Sequence, residues 1–132
     1  MKKILFVCVE NAGRSQIAEG FFRKYAPEGF VAVSAGTKPA DNLNPIAVEV
    51  MKEVGIDISQ QKSKLISNDM IDESESVVNM GCMDKESCPA LFVEDISDWG
   101  IEDPKGKTVE KVRKIRDVIE GNVKELIKKL GR

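Results

Sequence analysis

Apolar residues fall along the chain in two kinds of run. Ile4-Leu-Phe-Val-Cys-Val9 is unbroken and rich in β-branched side chains, which predicts a strand buried on both faces of a parallel sheet. From Ser15 to about Tyr25 the apolar residues Ile17, Ala18, Phe21 and Phe22 recur at helical spacing, and Pro27 and Gly29 close that helix. Phe30–Ala35 reads as a second short strand ended by Gly36. Asn44-Pro45 opens another helix, with Asn as cap and proline in the first turn. Ile46, Ala47, Val50, Met51 and Val54 form its stripe, and Gly55 stops it. Ser76–Met80 is expected as a third strand and Leu91–Val93 as a shorter fourth. Thr108 to Leu130 is the clearest helix, with Val109, Val112, Ile115, Ile119, Val123, Leu126 and Leu130 at steps of three or four.

Strands separated by helices imply right-handed crossovers. The expected fold is α/β, a small open four-stranded parallel sheet with helices on both faces. No repeat, low-complexity tract or linker interrupts the 132 residues, so a single domain over 1–132 is expected. In such sheets ligands bind beyond the carboxyl ends of the strands, and the first strand ends at Cys8-Val9.

At 42% hydrophobic and 32% charged residues, the composition is that of a soluble chain able to bury one core. The longest apolar run, Ile4–Val9, is far below the roughly 20 residues of a membrane span. Glu10, Asn11 and Arg14 follow it too soon for an export signal, so a cytoplasmic protein without membrane contact is expected. Charge is unevenly spread: residues 1–39 carry 6 basic and 3 acidic groups, 40–104 carry 4 and 15, and 105–132 carry 10 and 4. The basic tail invites a nucleic-acid reading. Its Lys and Arg residues fall largely between the apolar positions of the last helix, however, as on a solvated face, and no nucleic-acid partner is expected.

Histidine is absent, which excludes Ser-His-Asp and Cys-His catalysis and any histidine-containing metal site. Chemistry is left to thiols, carboxylates, Arg, Lys and backbone amides. The three cysteines, Cys8, Cys82 and Cys88, are an odd number in a chain without an export signal, which favours free thiols over a disulfide framework.

Cys8-Val-Glu-Asn-Ala-Gly-Arg14-Ser15 joins the first strand to the first helix. A tight loop closing onto a helix N-terminus turns backbone N–H groups inward, where the helix dipole also favours negative charge. Gly13 permits close approach and Arg14 can clamp two oxygens of a tetrahedral anion. Glu10, Asn11, Ala12, Gly13, Arg14 and Ser15 are therefore the expected substrate-binding residues. The same field stabilises a thiolate at Cys8, so activation needs no histidine.

Val7-Cys8-x-x-Asn11-x-x-Arg14-Ser15 resembles the active-site loop shared by low-molecular-weight protein tyrosine phosphatases and thioredoxin-coupled arsenate reductases. The resemblance extends to Gln16-Ile-Ala-Glu19, Ser34-Ala-Gly36, Asn44-Pro45, Gly55-Ile-Asp57-Ile-Ser59, Met80-Gly-Cys82, Cys88-Pro89, Trp99 and Asp103-Pro104-x-Gly106. It implies Cys8 as nucleophile, Asp103 as general acid, Asn11 shaping the loop and Ser15 donating a hydrogen bond to the thiolate. No cofactor or metal is implied. In some reductases of the family an Asn, a Glu, a Ser, a Thr and an Asp hold potassium. Asn11, Glu19 and Ser34 match them, but Lys62 and Lys64 stand where the last two would align, and a lysine ammonium in place of the ion is expected.

Cys82 and Cys88 separate the branches of the family. Hydrolysis needs only Cys8 and an acid, whereas reducing arsenate takes two electrons. By residue type alone the pair could be a redox relay, incidental loop thiols or half a zinc site. Their five intervening residues exceed the usual two to four for zinc, and no fourth ligand is evident. The resemblance implies the relay. A Cys8–arsenic adduct is resolved by Cys82 as arsenite leaves, and Cys88 then forms a Cys82–Cys88 disulfide for thioredoxin or a similar thiol reductant. Lys105-Gly106 follows Asp103-Pro104 where phosphatases of this family usually place aromatic residues, and aromatics total only 5% of the chain. The expected function is arsenate reductase, acting on arsenate or a phosphate-like oxyanion, with residual aryl phosphatase activity. The alternatives are a protein tyrosine phosphatase and a non-catalytic oxyanion-binding module.

Overall fold

The computed structural model describes residues 2–80 and 96–130. Its elements, in order, are β1 (Lys2–Cys8), α1 (Arg14–Tyr25), β2 (Phe30–Gly36), α2 (Pro45–Glu53), α3 (Asn68–Asp72), β3 (Ser74–Asn79), β4 (Ile96–Asp98) and α4 (Val109–Leu130). Cys82, Cys88 and the strand expected at Leu91–Val93 lie outside the described residues.

β1, apolar and buried from Ile4 onward, is central because both its faces can be buried. It pairs in parallel with β2 on one side and β3 on the other. The three-residue β4 adds to β3, giving the order β2-β1-β3-β4. Among the described residues the edge strand is Ile96–Asp98, and β3 starts at Ser74 rather than Ser76. Ser74 and Glu75 are polar, and their place at the exposed start of β3 hid them from a reading based on burial.

The two faces of β1 feed two clusters of unequal size. Ile4, Phe6 and Cys8 pack with Ile17, Phe21 and Phe22 of α1, Ala47 and Met51 of α2, and Ile115, Ile119 and Val123 of α4. Leu5 and Val7 face a smaller cluster with Ala35, Ile66 and Val77, against which Met70 and Ile71 of α3 are packed. The sequence did not signal α3. It has five residues, too few for a periodicity, and is held by its cap: Ser67 Oγ accepts from Met70 N. The α2 cap stands where it was expected, with Asn44 Oδ1 accepting from the N–H groups of Ile46 and Ala47 and Pro45 in the first turn.

Helix α4 buries Val112, Ile115, Ile119 and Val123, and much of its charge meets acidic residues of the middle of the chain. Arg113 makes a two-pronged bond to Glu53 on α2, Arg116 Nη1 reaches the Glu53 carboxylate at 3.0 Å, and Lys111 pairs with Glu102. Among the described residues no helix is long and apolar enough to cross a membrane.

Candidate active site

The loop between β1 and α1 is turned inside out relative to an ordinary turn. The carbonyls of Cys8, Val9, Glu10 and Ala12 accept from the N–H groups of Thr37, Lys38, Ala40 and Asn44, at 2.8 to 3.3 Å. The Asn11 carbonyl accepts from Gln16 Nε2 and Ser63 Oγ, and that of Gly13 from Ile17 N within α1. Each carbonyl from residue 8 to residue 13 is therefore held from outside the loop. Because the peptide unit is planar, the N–H groups are aimed the other way, into the loop's interior. One of them is seen in use, Asn11 N donating to Cys8 Sγ at 3.1 Å.

Two local features make this curvature possible. Asn11 has φ 50°, a left-handed conformation that Asn tolerates better than most residues. Gly36, at the end of β2, lets the loop lie against the neighbouring strand: a Cβ there would stand 2.5 Å from the Val9 carbonyl oxygen and 2.9 Å from Asn11 N. Helix α1 then begins at Arg14, one residue earlier than its apolar stripe implied. It has no side-chain cap and no acidic residue in its first turn, so its positive end is open to an anion.

Cys8 is buried, and its sulfur lies 2.8 Å from Ser15 Oγ. The direction of that bond follows from its neighbours. Lys64 N, which can only donate, bonds Asn11 Oδ1 at 2.8 Å, so the Asn11 amide nitrogen faces Ser15 Oγ at 2.6 Å. Ser15 accepts there and its hydroxyl proton points to the sulfur.

Arg14 is also buried, with Nη1 donating to the carbonyls of Ile101 at 3.0 Å and Met80 at 3.4 Å. Its Nη2 is 3.9 Å from Asp103 Oδ2. Pro104 is buried against Gly13, where a Cβ would come within 2.8 Å of its Cγ, while Asp103 and Lys105 on either side are exposed. Cys8, Arg14 and Asp103 line one cavity of about 730 Å³, together with residues 40–46 and 104–106. None of its described lining residues is aromatic.

Three side chains behind the loop were given no role by the sequence reading. Gln16 is fully buried, bonding Asn11 O and Lys62 O through Nε2, and Gln61 Nε2 meets its Oε1 at 2.7 Å. Ser63 completes the set. A buried glutamine one residue past the motif is a visible oddity, but nothing in the sequence says that residues 61–64 reach it. For Lys64 the expected ammonium is corrected here. Lys64 reaches Asn11 through its backbone N–H, its Nζ turns to the Lys62 carbonyl at 2.7 Å, and Glu19 is met instead by Ser34 Oγ at 3.0 Å.

The pattern of the low molecular weight phosphotyrosine protein phosphatase family matches residues 3–132. An arsenate reductase of Staphylococcus aureus is 42% identical over 120 residues, covering 89% of this chain and 90% of its own. A glutaredoxin arsenate reductase of Synechocystis is 38% identical over 132 residues, covering 99% of this chain and 100% of its own. The solved structure of an arsenate reductase in the phosphate binding state matches with a TM-score of 0.87 at 36% identity, covering 98% of both chains.

Proposed function

This chain belongs to the low molecular weight phosphotyrosine protein phosphatase family, and within it we propose that it reduces arsenate to arsenite. The observation that carries the oxyanion half of this reading is the ring of carbonyls held outward from Cys8 to Gly13, which leaves amides, Arg14 and a helix terminus facing the nucleophile. Arsenate is a tetrahedral anion of the size such a ring encloses.

In the proposed reaction the Cys8 sulfur attacks arsenic and an oxygen leaves as water, with Asp103 supplying a proton. Cys82 then attacks the Cys8 sulfur. The sulfur–arsenic electron pair stays on arsenic, which departs as arsenite, and a Cys8–Cys82 disulfide forms. Cys88 displaces Cys8 from Cys82, and an external dithiol then reduces the resulting Cys82–Cys88 disulfide to two thiols, itself becoming a disulfide. The two electrons gained by arsenic are those lost by the two sulfurs. What supports this relay is the pair of extra thiols, the arsenate reductases among the relatives and the electron count. The external donor fits a small thiol protein of the thioredoxin or glutaredoxin kind.

Hydrolysis of small aryl phosphates is the second reading, favoured by a cavity much larger than one tetrahedral anion. Anaerobic incubation with arsenate followed by mass mapping separates the two. A Cys82–Cys88 disulfide is expected only when arsenate is present, and Cys82→Ser is expected to abolish multiple turnover while sparing aryl phosphate hydrolysis. Arsenate reduction that survives Cys82→Ser at full rate would remove the relay.

A further inference from the structure

Three consecutive residues of the segment between β4 and α4 each touch the Cys8–Ser15 loop. Asp103 faces Arg14 and Pro104 seats on Gly13. Lys105 Nζ lies 2.8 Å from Glu10 Oε1. The first two contacts belong to the acid and its support, but nothing in the chemistry of Cys8 calls for the third. Glu10 is an awkward residue to find in an anion-binding loop. It is the one carboxylate between Cys8 and Ser15, and it lines the same cavity as the nucleophile and the arginine. Left alone it would oppose the entry of an oxyanion.

We propose that Lys105 is an affinity-determining residue, cancelling the Glu10 carboxylate at the mouth of the oxyanion pocket. The inference rests on reading the Cys8 loop as an oxyanion cradle, but not on reduction. Its geometry is economical: the Lys105 N–H bonds Asp103 Oδ1 at 3.0 Å, so the residue that holds the acid through its backbone neutralises the loop through its side chain. The hydrogen bond and charge of Glu10 also draw the lysine's pKa above its ordinary value, itself well above neutrality. Both side chains are substantially exposed, at 69% and 39%, so the pair adds little to the stability of the fold. Its effect is on the field met by an incoming anion.

The probe is inorganic phosphate, read as protection of Cys8 from iodoacetamide and followed on the Cys8 peptide by mass spectrometry. Lys105→Met exposes the Glu10 charge and is expected to weaken protection roughly three- to tenfold, the size of a unit charge acting on a dianion across a solvated mouth. Glu10→Gln removes the liability and is expected to bind phosphate at least as tightly as the parent. Combining the two is the decisive case: affinity should return to within about twofold of the parent, because neither charge remains. In 1 M NaCl, where the screening length is about 3 Å, the differences should shrink. The proposal is overturned if Lys105→Met binds phosphate normally, or if the double variant is as weak as Lys105→Met alone. Absence of arsenate turnover alongside normal phosphate protection would remove the reductase reading and leave this one standing. Absence of protection in the parent would remove both.

Discussion

At the scale of single residues, the hydrogen bond received by the Cys8 sulfur is set by a chain of donors that starts in a neighbouring loop. Lys64 N orients Asn11, Asn11 orients Ser15, and the Ser15 hydroxyl donates a hydrogen bond to the sulfur. Asn11→Asp tests the chain without changing its shape. The carboxylate still accepts from Lys64 N but can no longer donate to Ser15, so the hydroxyl proton turns toward it and away from Cys8. A hydrogen bond to a charged group contributes about 1.5–3 kcal/mol, so alkylation of Cys8 by iodoacetamide at pH 7 should slow about tenfold or more. Ser15→Ala removes the donor outright and should slow the same reaction, by a smaller factor because it adds no negative charge. Unaltered alkylation rates in both variants would mean that the hydroxyl does not serve the sulfur. Asn11 and Ser15 were readable in the sequence because the motif names them. Lys64 was misread as a side-chain charge, since sequence does not reveal whether a residue contributes its backbone or its side chain.

At the scale of elements, the curled loop depends on where β2 ends. Gly36→Ala would press a methyl group against two backbone atoms of the loop, and backbone cannot step aside as a side chain can. A stability loss of about 2 kcal/mol or more is expected, with phosphate protection of Cys8 largely gone. Gly121 is the matching control. It lies in α4, and a Cβ added there meets nothing within 4 Å, so Gly121→Ala should raise stability by about 0.5–1 kcal/mol and leave phosphate binding untouched. Chemical denaturation of the two variants beside the parent checks both. The sequence revealed β1, α1, α2 and α4 because each carries a run or stripe long enough to have a period. It missed α3, and it missed the network of Gln16, Gln61 and Ser63. A five-residue helix has no period, and contacts across 45 or more positions depend on the finished topology. The outward carbonyls could be expected in general from a strand–loop–helix junction. Their partners at residues 37–44 could not.

At the scale of the whole molecule, the chain's lopsided charge becomes a set of links between distant segments. The tail that looked basic in isolation pairs Arg113 and Arg116 with Glu53 and Lys111 with Glu102, joining α4 to α2 and to the acid loop. One of these links carries a pH dependence. The Arg113 guanidinium, hydrogen-bonded to Glu53, holds that carboxyl below its ordinary value, with Arg116 adding to the effect. Hydrogen bonds from Ser59 do the same for Asp57. A carboxyl lowered in the folded state stabilises the fold fully above its unfolded value, about 4.3 for Glu. That contribution disappears as pH falls through the folded value. On the alkaline side Tyr25, whose hydroxyl donates to Glu120, has its pKa raised; its share is present below about pH 10 and is lost as pH rises further. With no histidine in the chain, no imidazole titrates between these limits. Thermal unfolding should therefore show a melting temperature that falls on the acid side as the carboxylates take up protons. Glu53→Gln isolates one of them. It should lower the melting temperature at pH 7, where the parent's carboxylate is charged, and the gap should narrow as pH falls through the folded-state value and the parent's own carboxyl takes up a proton. A gap of equal size at both pH values would mean that Glu53 matters for its shape and packing between α2 and α4, and that its charge contributes nothing.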